Sequence, residues 1–314
     1  MEEKCSSDQL THIPVLLREV IRFLKVNPEG IYLDGTVGLG GHASAILSIL
    51  SEKGTLVGVD LDDEALARCK DTIGAASNCH LVQGSFSDIP DFLQRLKIQQ
   101  IDGLLLDLGL SSLQLDSPQR GFSYRFDGPL DMRYSTIPQI TAHDIVNTWS
   151  ESELRSLIKK YGEERSAGLI ARTIIQERAN STIDTTMELR TIVSSVIPGR
   201  FLNKSLSRIF QAIRITVNGE LEALTQVVSN FTDYLKPLGR AVIISYHSLE
   251  DRIVKHAFRN HARDCICPPE LPVCHCDHRA TVRLLTHQPV TPTQDELADN
   301  PRSKSAKLRA VEKL

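Results

Sequence analysis

The sequence predicts an α/β fold in which a parallel sheet is interrupted by an all-helical insertion. Near the N-terminus, four short apolar runs alternate with segments of helical periodicity, which is typical of βαβ units. From about residue 113 the alternation stops, and helical patterns continue until another apolar run at residues 241–245. Because this later run needs a sheet to join, we expect the sheet to resume after the insertion.

The predicted elements of the first part follow each other in a regular order. The strands are residues 31–33, 55–59, 80–82 and 101–106, and the helices are residues 15–24, 41–50, 62–72 and 89–96. Right-handed crossovers would bring the loops that follow these strands together at one edge of the sheet. Near the C-terminus, residues 281–285 and 288–290 are predicted to form a closing antiparallel edge.

The insertion is predicted to consist of a long loop and then helices. Residues 113–133 are rich in glycine, proline, aspartate and serine, as loops are. Two of the helices that follow begin with capping boxes, Ser150 with Glu153 and Thr185 with Glu188. The predicted domains are residues 1–112 with 213–314 for the sheet and residues 113–212 for the insertion.

Composition indicates a globular protein in a reducing compartment. Hydrophobic residues make up 41% and charged residues 24%, and no apolar stretch is long enough to span a bilayer. The polar, acidic start MEEKCSSDQL does not resemble a signal peptide. Cys5, Cys69 and Cys79 are scattered singly, which favours the cytoplasm over an oxidising location. We therefore expect a cytoplasmic protein without membrane contact.

Charge is unevenly distributed along the chain. The net charge of −3 gives the chain as a whole no nucleic-acid footprint. Residues 189–219, however, contain basic but no acidic residues, and residues 301–314 are mainly basic. Both stretches are candidates for contacts with a phosphate-rich partner, and solvated helix faces are the alternative.

Residues 31–42, IYLDGTVGLGGH, predict a nucleoside cofactor site. An apolar run ends at Asp34 and is followed by a glycine-rich loop and a helix, so that a ligand can lie directly against the backbone. Gly38-x-Gly40-x-x-Ala43 fits the dinucleotide pattern, and Asp60 ends the second strand where a ribose-binding acid belongs. An NAD-dependent oxidoreductase is therefore one candidate.

Other residues favour S-adenosylmethionine as the cofactor. In a dinucleotide site, a carboxylate at Asp34 would lie close to the pyrophosphate. Phe86 follows the third strand, where it would lie along an adenine, and Asp107 ends the fourth. Since S-adenosylmethionine has no phosphates, the helix N-terminus at Gly41 and His42 is free to meet its carboxylate. A methyltransferase is thus favoured, and a glycine-rich turn without a ligand is the remaining alternative.

Eight sequence blocks, spread nearly end to end, carry a resemblance to a known family. They are HIPVLL from residue 12, DGTVGLGGH from 34, DLGLSS from 107, RGFS from 120, FDGPLDMR from 126, IxVNxEL from 215, SYHSLEDR from 245 and NPRSKSAKLR from 300. With these blocks the chain resembles the RsmH (MraW) family, bacterial methyltransferases that modify N4 of a cytidine in the decoding centre of 16S rRNA.

The resemblance implies a Rossmann-like class I S-adenosylmethionine-dependent methyltransferase sheet with an inserted all-helical domain that recognises RNA. The implied partner is 16S rRNA or the small ribosomal subunit, and a homodimer is an oligomeric state to test. The residues implied to line the cofactor site are Gly40, Gly41, His42, Asp60, Phe86, Asp107 and Gln114. The family often has arginine where this chain has Leu39, a position among glycines that we expect to be peripheral.

The chemistry of cytosine methylation points to catalytic candidates. The N4 lone pair is delocalised into the ring, so the reaction needs acceptors for the N4 hydrogens. Amino methyltransferases of dissimilar sequence use an Asp/Asn-Pro-Pro-aromatic turn at the end of the fourth strand, whereas this chain has Asp107-Leu108-Gly109-Leu110. We expect Asp107 or the Leu108 carbonyl to accept from N4. As helpers, Tyr246 would stack on an unstacked base, and His247 would take a proton or bind a phosphate. Alternatively, Asp107 serves the cofactor and His247 only caps a helix.

Two groups of charged residues are substrate-binding candidates. Asp127, Asp131 and Arg133 lie in the loop that opens the insertion, where they would contact RNA or close the pocket. The alternative is that they fix this loop internally. Arg200, Lys204 and Arg208 belong to the basic stretch and are candidates for phosphate contacts.

Four clustered cysteines offer a metal site that we do not favour from the sequence. Cys265, Cys267, Cys274 and Cys276 provide enough soft ligands for tetrahedral zinc. Their Cys-x-Cys spacing is tighter than the usual Cys-x₂-Cys, and the resemblance implies that the cluster is not needed for the reaction. We therefore expect thiols without a metal, with structural zinc as the alternative.

Overall fold

A computed structural model describes residues 14–74, 76–135, 140–267, 273, 275–276 and 278–314. Its strands are β1 (Ile31–Asp34), β2 (Thr55–Asp60), β3 (Cys79–Gln83), β4 (Ile101–Asp107), β5 (Leu235–Ser245), β6 (Val282–Leu284) and β7 (Lys307–Lys313). They form one seven-stranded sheet in the order β3-β2-β1-β4-β5-β7-β6. The neighbours from β3 to β5 are parallel, and β7 is antiparallel to both β5 and β6. The predicted Rossmann-like α/β fold is confirmed.

Helices surround this sheet and form the insertion. They are α1 (Leu17–Leu24), α2 (Gly41–Leu47), α3 (Asp63–Ile73), α4 (Ile89–Arg95), α5 (Ser112–Asp116), α6 (Ala142–Thr148), α7 (Glu151–Gly162), α8 (Ala167–Arg178), α9 (Thr186–Val196), α10 (Gly199–Asn218), α11 (Glu220–Tyr234), α12 (Ser248–His261) and α13 (Gln294–Asp299). Short 3-10 turns occur at Phe86–Asp88, Pro118–Arg120 and Pro301–Ser305. In the described part of the chain, no helix is both long and apolar enough to cross a membrane.

The sheet is buried on both faces, which explains its continuous apolar strands. Leu104 and Leu106 of β4 belong to a core that includes Phe258 of α12, together with side chains from α4 and α11. Leu105 points into a second core with Ile46 of α2 and Cys69 of α3. Alternate residues of one strand therefore fill the two layers of the domain.

The insertion has a hydrophobic core of its own. Its helices contribute Ile145, Ile158, Ile170, Val193 and Ile209, and the preceding loop adds Phe122, Leu130 and Met132. The capping boxes predicted at Ser150 and Thr185 are confirmed, because each hydroxyl accepts from the N3 amide and each glutamate from the cap amide. Helix α10 continues through residue 212 to Asn218. The division of domains at that residue stays a prediction.

Part of the C-terminal basic stretch belongs to the sheet. Arg302 and Lys304 precede that part and are exposed, and their assignment to phosphate contacts stays a prediction. Residues 307–313 form β7, between β5 and β6. Arg309 Nε donates to Asp251 Oδ1 at 2.6 Å, and Lys313 Nζ donates to two main-chain carbonyls. The charge of Arg309 is thus paired with a carboxylate, and the Lys313 ammonium is bound by carbonyl oxygens, so neither is available to an external phosphate.

The closing antiparallel edge predicted near the C-terminus is confirmed. Strand β6 pairs with β7 in antiparallel register, and Val290 makes a separate bridge to Leu308. The strand to which both segments pair is β7, which the sequence did not reveal.

Candidate functional site

The glycine-rich loop between β1 and α2 is held by two aspartates of neighbouring strands. The Thr36 amide donates to Asp34 Oδ1 at 3.1 Å, and the Gly38 amide donates to Asp60 Oδ2 at 2.8 Å. Gly40 has a φ of 85°, and a Cβ there would lie 2.9 Å from the Cys69 sulfur. The loop is therefore packed in one conformation, with its backbone open to the carboxyl edge of the sheet.

Three carboxylates meet at this edge, at the ends of β1, β2 and β4. Asp34 is only 1% exposed, and its burial, together with the charges of Asp107 and Asp60, raises its pKa to about 7. Burial likewise raises the pKa of Asp60 to about 6. The edge therefore favours a cationic ligand and opposes the negative charge of a pyrophosphate.

His42, in the first turn of α2, is a buried polar side chain without a hydrogen-bond partner among the described residues. Both ring nitrogens lack a partner, and Nε2 lies 3.5 Å from Asp107 Oδ2. Buried polar atoms are rarely left in this state unless a ligand or water completes them. S-adenosylmethionine fits this edge, because its cationic groups match the carboxylates and its polar atoms would satisfy the imidazole.

Asp107 and Tyr246 are brought together although they are far apart in sequence. Asp107 is in register with Ile244 of β5, so Tyr246, two residues after Ile244, lies close to the end of β4. Its Oη donates to Asp107 Oδ1 at 2.8 Å. Burial raises the pKa of Tyr246 well above its usual value, so the phenol stays a neutral donor. The Asp107 side chain is 18% exposed, which leaves part of it accessible to a substrate.

The turn after β4 depends on a glycine. Gly109 has a φ of 105°, and a Cβ there would lie 3.2 Å from Cδ2 of the Tyr246 ring. The backbone therefore passes directly against the aromatic ring. The Asp107–Leu110 turn has no aromatic residue of its own, and the Tyr246 ring lies beside Asp107 instead.

His247 caps helix α12, which was the alternative to its catalytic role. Its Nδ1 accepts from the Glu250 amide at 3.3 Å, and its Nε2 lies 3.1 Å from Glu250 Oε1. Both ring nitrogens thus face the same residue, and the geometry favours the cap over proton transfer or phosphate binding.

Glu250 is a site residue that sequence reasoning missed. It is buried, and its Oε2 accepts from the amides of Tyr246 at 2.8 Å and His247 at 3.2 Å. Although burial opposes ionisation, hydrogen bonding from His247 and the charge of Arg214 lower the pKa of Glu250. The ionised Glu250 therefore fixes the backbone that carries Tyr246. In the sequence, Glu250 is recognisable only as the N3 residue of a helix capping box, and glutamate is common at that position.

Gln114 reaches the cofactor edge through another overlooked residue, Asp62. Gln114 forms a capping box with Ser111 and donates through Nε2 to Asp62 Oδ2 at 2.9 Å. Asp62 is 0% exposed and also pairs with Arg120 Nη2 at 3.0 Å. These contacts attach the loop that opens the insertion to the start of α3.

Phe86 lies in the turn after β3, where the sequence predicted a contact with adenine. A Cβ added to Gly35 would lie 3.1 Å from the Phe86 Cβ. The phenylalanine therefore packs against the start of the glycine-rich loop, and its place along an adenine stays a prediction.

The substrate-binding candidates divide into paired and exposed residues. Although burial opposes it, hydrogen bonds from Arg133 lower the pKa of Asp131, and the two form a bidentate pair. Arg208 pairs with Glu164 at 3.3 Å. The exposed members of the predicted set are Asp127, Arg200 and Lys204. Asp131 and Arg133 thus bind each other within the loop, which was the alternative predicted from the sequence.

A cavity of about 280 Å³ opens beside the ends of β2 and β3. Leu61, Ser85 and Ser87 line it from the sheet, and Asn218 and Glu222 line it from the joint of α10 and α11. Their hydroxyl, amide and carboxylate groups are suited to hydrogen bonding with a nucleoside. The cavity lies between the turns that follow β2 and β3 and the joint of α10 and α11.

Of the clustered cysteines, Cys265, Cys267 and Cys276 lie close together, with their sulfurs within 4.8 Å of one another. Cys274 lies outside the described residues.

The fold and the site define a class of protein. A sheet of this order, with acidic groups at the ends of β1, β2 and β4 around a glycine-rich loop, is that of a class I methyltransferase. The chain belongs to the MraW methylase family, whose model matches residues 9–314. It is therefore a methyltransferase with S-adenosylmethionine as its methyl donor, and the NAD-dependent alternative does not hold.

Relatives from several bacteria match this chain over nearly their whole length. A ribosomal RNA small subunit methyltransferase H from Halothermothrix orenii is 45% identical over 97% of this chain and 99% of its own. A protein of the same name from Caldicellulosiruptor saccharolyticus is 48% identical over 96% and 99%, respectively. One from Clostridioides difficile is 44% identical over 96% and 99%.

Proposed function

We propose that this protein methylates N4 of a decoding-centre cytidine in the 16S rRNA of the small ribosomal subunit. The relatives at 44–48% identity are named for the RNA of that subunit. The observation that carries the proposal for N4 is the partly exposed Asp107 carboxylate, held by Tyr246 beside the glycine-rich loop. An acceptor at this position is what the two N–H groups of a cytosine amine require.

The proposed reaction is an in-line displacement in which the N4 nitrogen attacks a methyl carbon. When bound, S-adenosylmethionine supplies that methyl group on a sulfonium, which is already a good leaving group. Asp107 accepts a hydrogen bond from N4–H and so turns the nitrogen lone pair away from the ring. As the new N–C bond forms, the nitrogen becomes acidic and Asp107 takes its proton.

Tyr246 and Glu250 have positioning roles in this proposal. The phenol donates to Asp107 Oδ1, and Oδ2, which lies 3.5 Å from His42 Nε2, is the oxygen proposed to accept from the substrate. Glu250 in turn holds the Tyr246 amide at 2.8 Å. Because the cytidine must leave its stack to reach Asp107, the pocket is expected to act on an extruded base.

The helical insertion is proposed to bind RNA through α10. Arg200 and Lys204 are exposed one turn apart, and the Arg200 guanidinium lies 4.7 Å from the centre of the Phe201 ring. An exposed aromatic ring between two cations provides stacking and phosphate contacts together. Asp127, by contrast, has no proposed phosphate contact because of its charge. A cytoplasmic location and a homodimer remain part of the proposal.

Mapping N4-methylcytidine in small-subunit rRNA tests the function. We expect a strain that lacks this gene to lose the modification at one decoding-centre cytidine, and complementation by the wild-type gene to restore it. Loss of a methyl group at a different base, or no loss, would overturn the proposal. Incubating purified protein with naked rRNA and with small subunits from the deletion strain identifies which of them is the substrate.

A further inference from the structure

Three cysteine sulfurs converge in the segment that joins α12 to β6. The Sγ atoms of Cys265, Cys267 and Cys276 lie within 4.8 Å of one another, and those of Cys265 and Cys276 are 3.8 Å apart. A tetrahedral zinc ion with Zn–S bonds of about 2.3 Å holds its sulfurs about 3.8 Å apart. We propose that this cluster is a structural zinc site, which replaces the expectation of a metal-free cluster.

Main-chain amides point at two of these sulfurs. The Cys267 amide donates to Cys265 Sγ at 3.4 Å, and the His275 amide donates to Cys267 Sγ at 3.5 Å. Such N–H···S bonds spread the negative charge that accumulates when several thiolates share one cation. The short Cys-x-Cys spacing is compatible with this arrangement, because the intervening backbone turns around the sulfur.

A disulfide explains the cluster less well. It joins two sulfurs at about 2.05 Å and gives no reason for a third to lie at the same place. Three thiolates fill three of the four positions of a tetrahedral ion. The fourth position is left for a further ligand.

The described residues around the cluster show little apolar packing. Ile266 and Val273 are both exposed, and the described contacts at the base of the segment are polar, such as Ala280 N to Asp264 Oδ1 at 3.2 Å. Segments without a hydrophobic core commonly depend on a metal for their structure. Zinc here would hold the connection between α12 and β6 in one conformation.

The cluster is separate from the methyl-transfer site. It follows the C-terminal end of α12, whereas Tyr246 precedes the N-terminal end, and the 14 residues of that helix span about 21 Å. A thiolate-rich site at this distance is structural, and the proposal does not rest on the methylation of cytidine.

Metal analysis of the full-length protein, purified under reducing conditions without chelators, tests the proposal. We expect about one zinc per chain by inductively coupled plasma mass spectrometry. C265S and C267S should each lose most of it, whereas C79S, which alters a cysteine outside the cluster, should retain it. Wild-type protein reconstituted with Co²⁺ should show the sulfur-to-cobalt charge-transfer absorption of a tetrahedral thiolate site, a readout that does not depend on any variant folding.

Two results would overturn the zinc site. One is wild-type protein that holds no zinc even after incubation with Zn²⁺ and a reductant. The other is a disulfide within the cluster, found by alkylation and mass spectrometry of freshly prepared cytoplasmic protein. Methyltransferase activity is measured on the same samples, so failure of the zinc proposal is distinguishable from failure of the function.

Discussion

The buried charged groups on the cofactor side of Tyr246 and those near Glu250 differ in whether they form ion pairs. On the cofactor side, Asp34, Asp60 and Asp107 lie together, and no lysine or arginine of the described chain forms an ion pair with any of them. On the side of the insertion, Arg214 binds both oxygens of Glu220 at 2.8 and 2.9 Å.

This difference separates the buried charges that stabilise the fold from those that are expected to bind a ligand. A buried charge is costly unless it is paired. Where the chain supplies the partner, the group holds the fold together, as Arg214 does between α10 and α11. Where the described residues supply no ion-pair partner, as at Asp34, the partner is expected to be a bound molecule.

Removing Asp107 should have the largest effect on activity. D107A loses the acceptor for N4 and the acceptor of the Tyr246 phenol, so we expect methyl transfer to fall by about 10²- to 10⁴-fold. Single-turnover methylation of small subunits measures the rate. D91A, which alters an exposed aspartate of α4, is the matched control. Full activity of D107A would remove this residue from the mechanism.

Breaking the pair of Arg214 and Glu220 should have the largest effect on stability. R214M leaves Glu220 buried without its partner, and we expect the free energy of unfolding to drop by about 3–5 kcal/mol. Urea denaturation followed by circular dichroism measures it. R68M breaks an exposed pair with Glu64 and should cost less than about 0.5 kcal/mol. Equal losses in both variants would contradict the structural role of the buried pair.

Replacing Glu250 should separate positioning from binding. E250Q loses the charge that holds the Tyr246 and His247 amides, and a small displacement of Tyr246 should lower kcat by about 10- to 100-fold. The dissociation constant for S-adenosylmethionine should hardly change, because Glu250 binds the main-chain amides of Tyr246 and His247. If E250Q weakens cofactor binding and leaves kcat intact, Glu250 belongs to the cofactor site instead.

The exposed cations of α10 should give the smallest effect. In R200A/K204A two phosphate contacts are lost, so the slope of log affinity against log salt should fall by about 1.4, at about 0.7 per contact. Fluorescence anisotropy with a single-stranded rRNA fragment measures this slope. The control variant K53A/R95A removes two cations near the amino ends of the strands and should leave the slope unchanged. An unchanged slope in R200A/K204A would place the RNA elsewhere.

Local patterns made much of the fold predictable. The strands are runs of apolar residues, and the capping boxes at Ser150 and Thr185 involve residues three apart, so neighbouring positions carry the signal. The glycine-rich loop was recognisable for the same reason. Strand β7 was missed because its charged residues suggested a surface, whereas their partners, such as Asp251 for Arg309, come from a distant helix.

The site was predictable as a list of residues but not as a set of contacts. Asp107 and Tyr246 were both candidates, yet only the pairing of β4 with β5 brings them within 2.8 Å. Asp62 and Glu250 were missed because each acts through residues far away in sequence or through backbone amides. Such contacts depend on the assembled sheet, which no local pattern describes.

Because the acidic edge is left unpaired for a cationic cofactor, stability and cofactor affinity should both depend on pH. In the free protein the pKa of Asp34 is raised from 3.8 to about 7, so the free energy of unfolding should fall as pH rises through this range. Binding of the cofactor cation should draw Asp34 into its ionised form. Affinity should therefore rise with pH, by about tenfold between pH 6 and pH 8.

Calorimetric titration of the free protein with S-adenosylmethionine at pH 6.5, in buffers of different ionisation enthalpy, tests this most directly. We expect wild-type protein to release a fraction of a proton per cofactor bound, and D34N to release clearly less. Two results together would contradict the ionisation of Asp34 on cofactor binding. One is proton release that is absent in wild type, or equal in wild type and D34N; the other is an affinity that does not vary with pH.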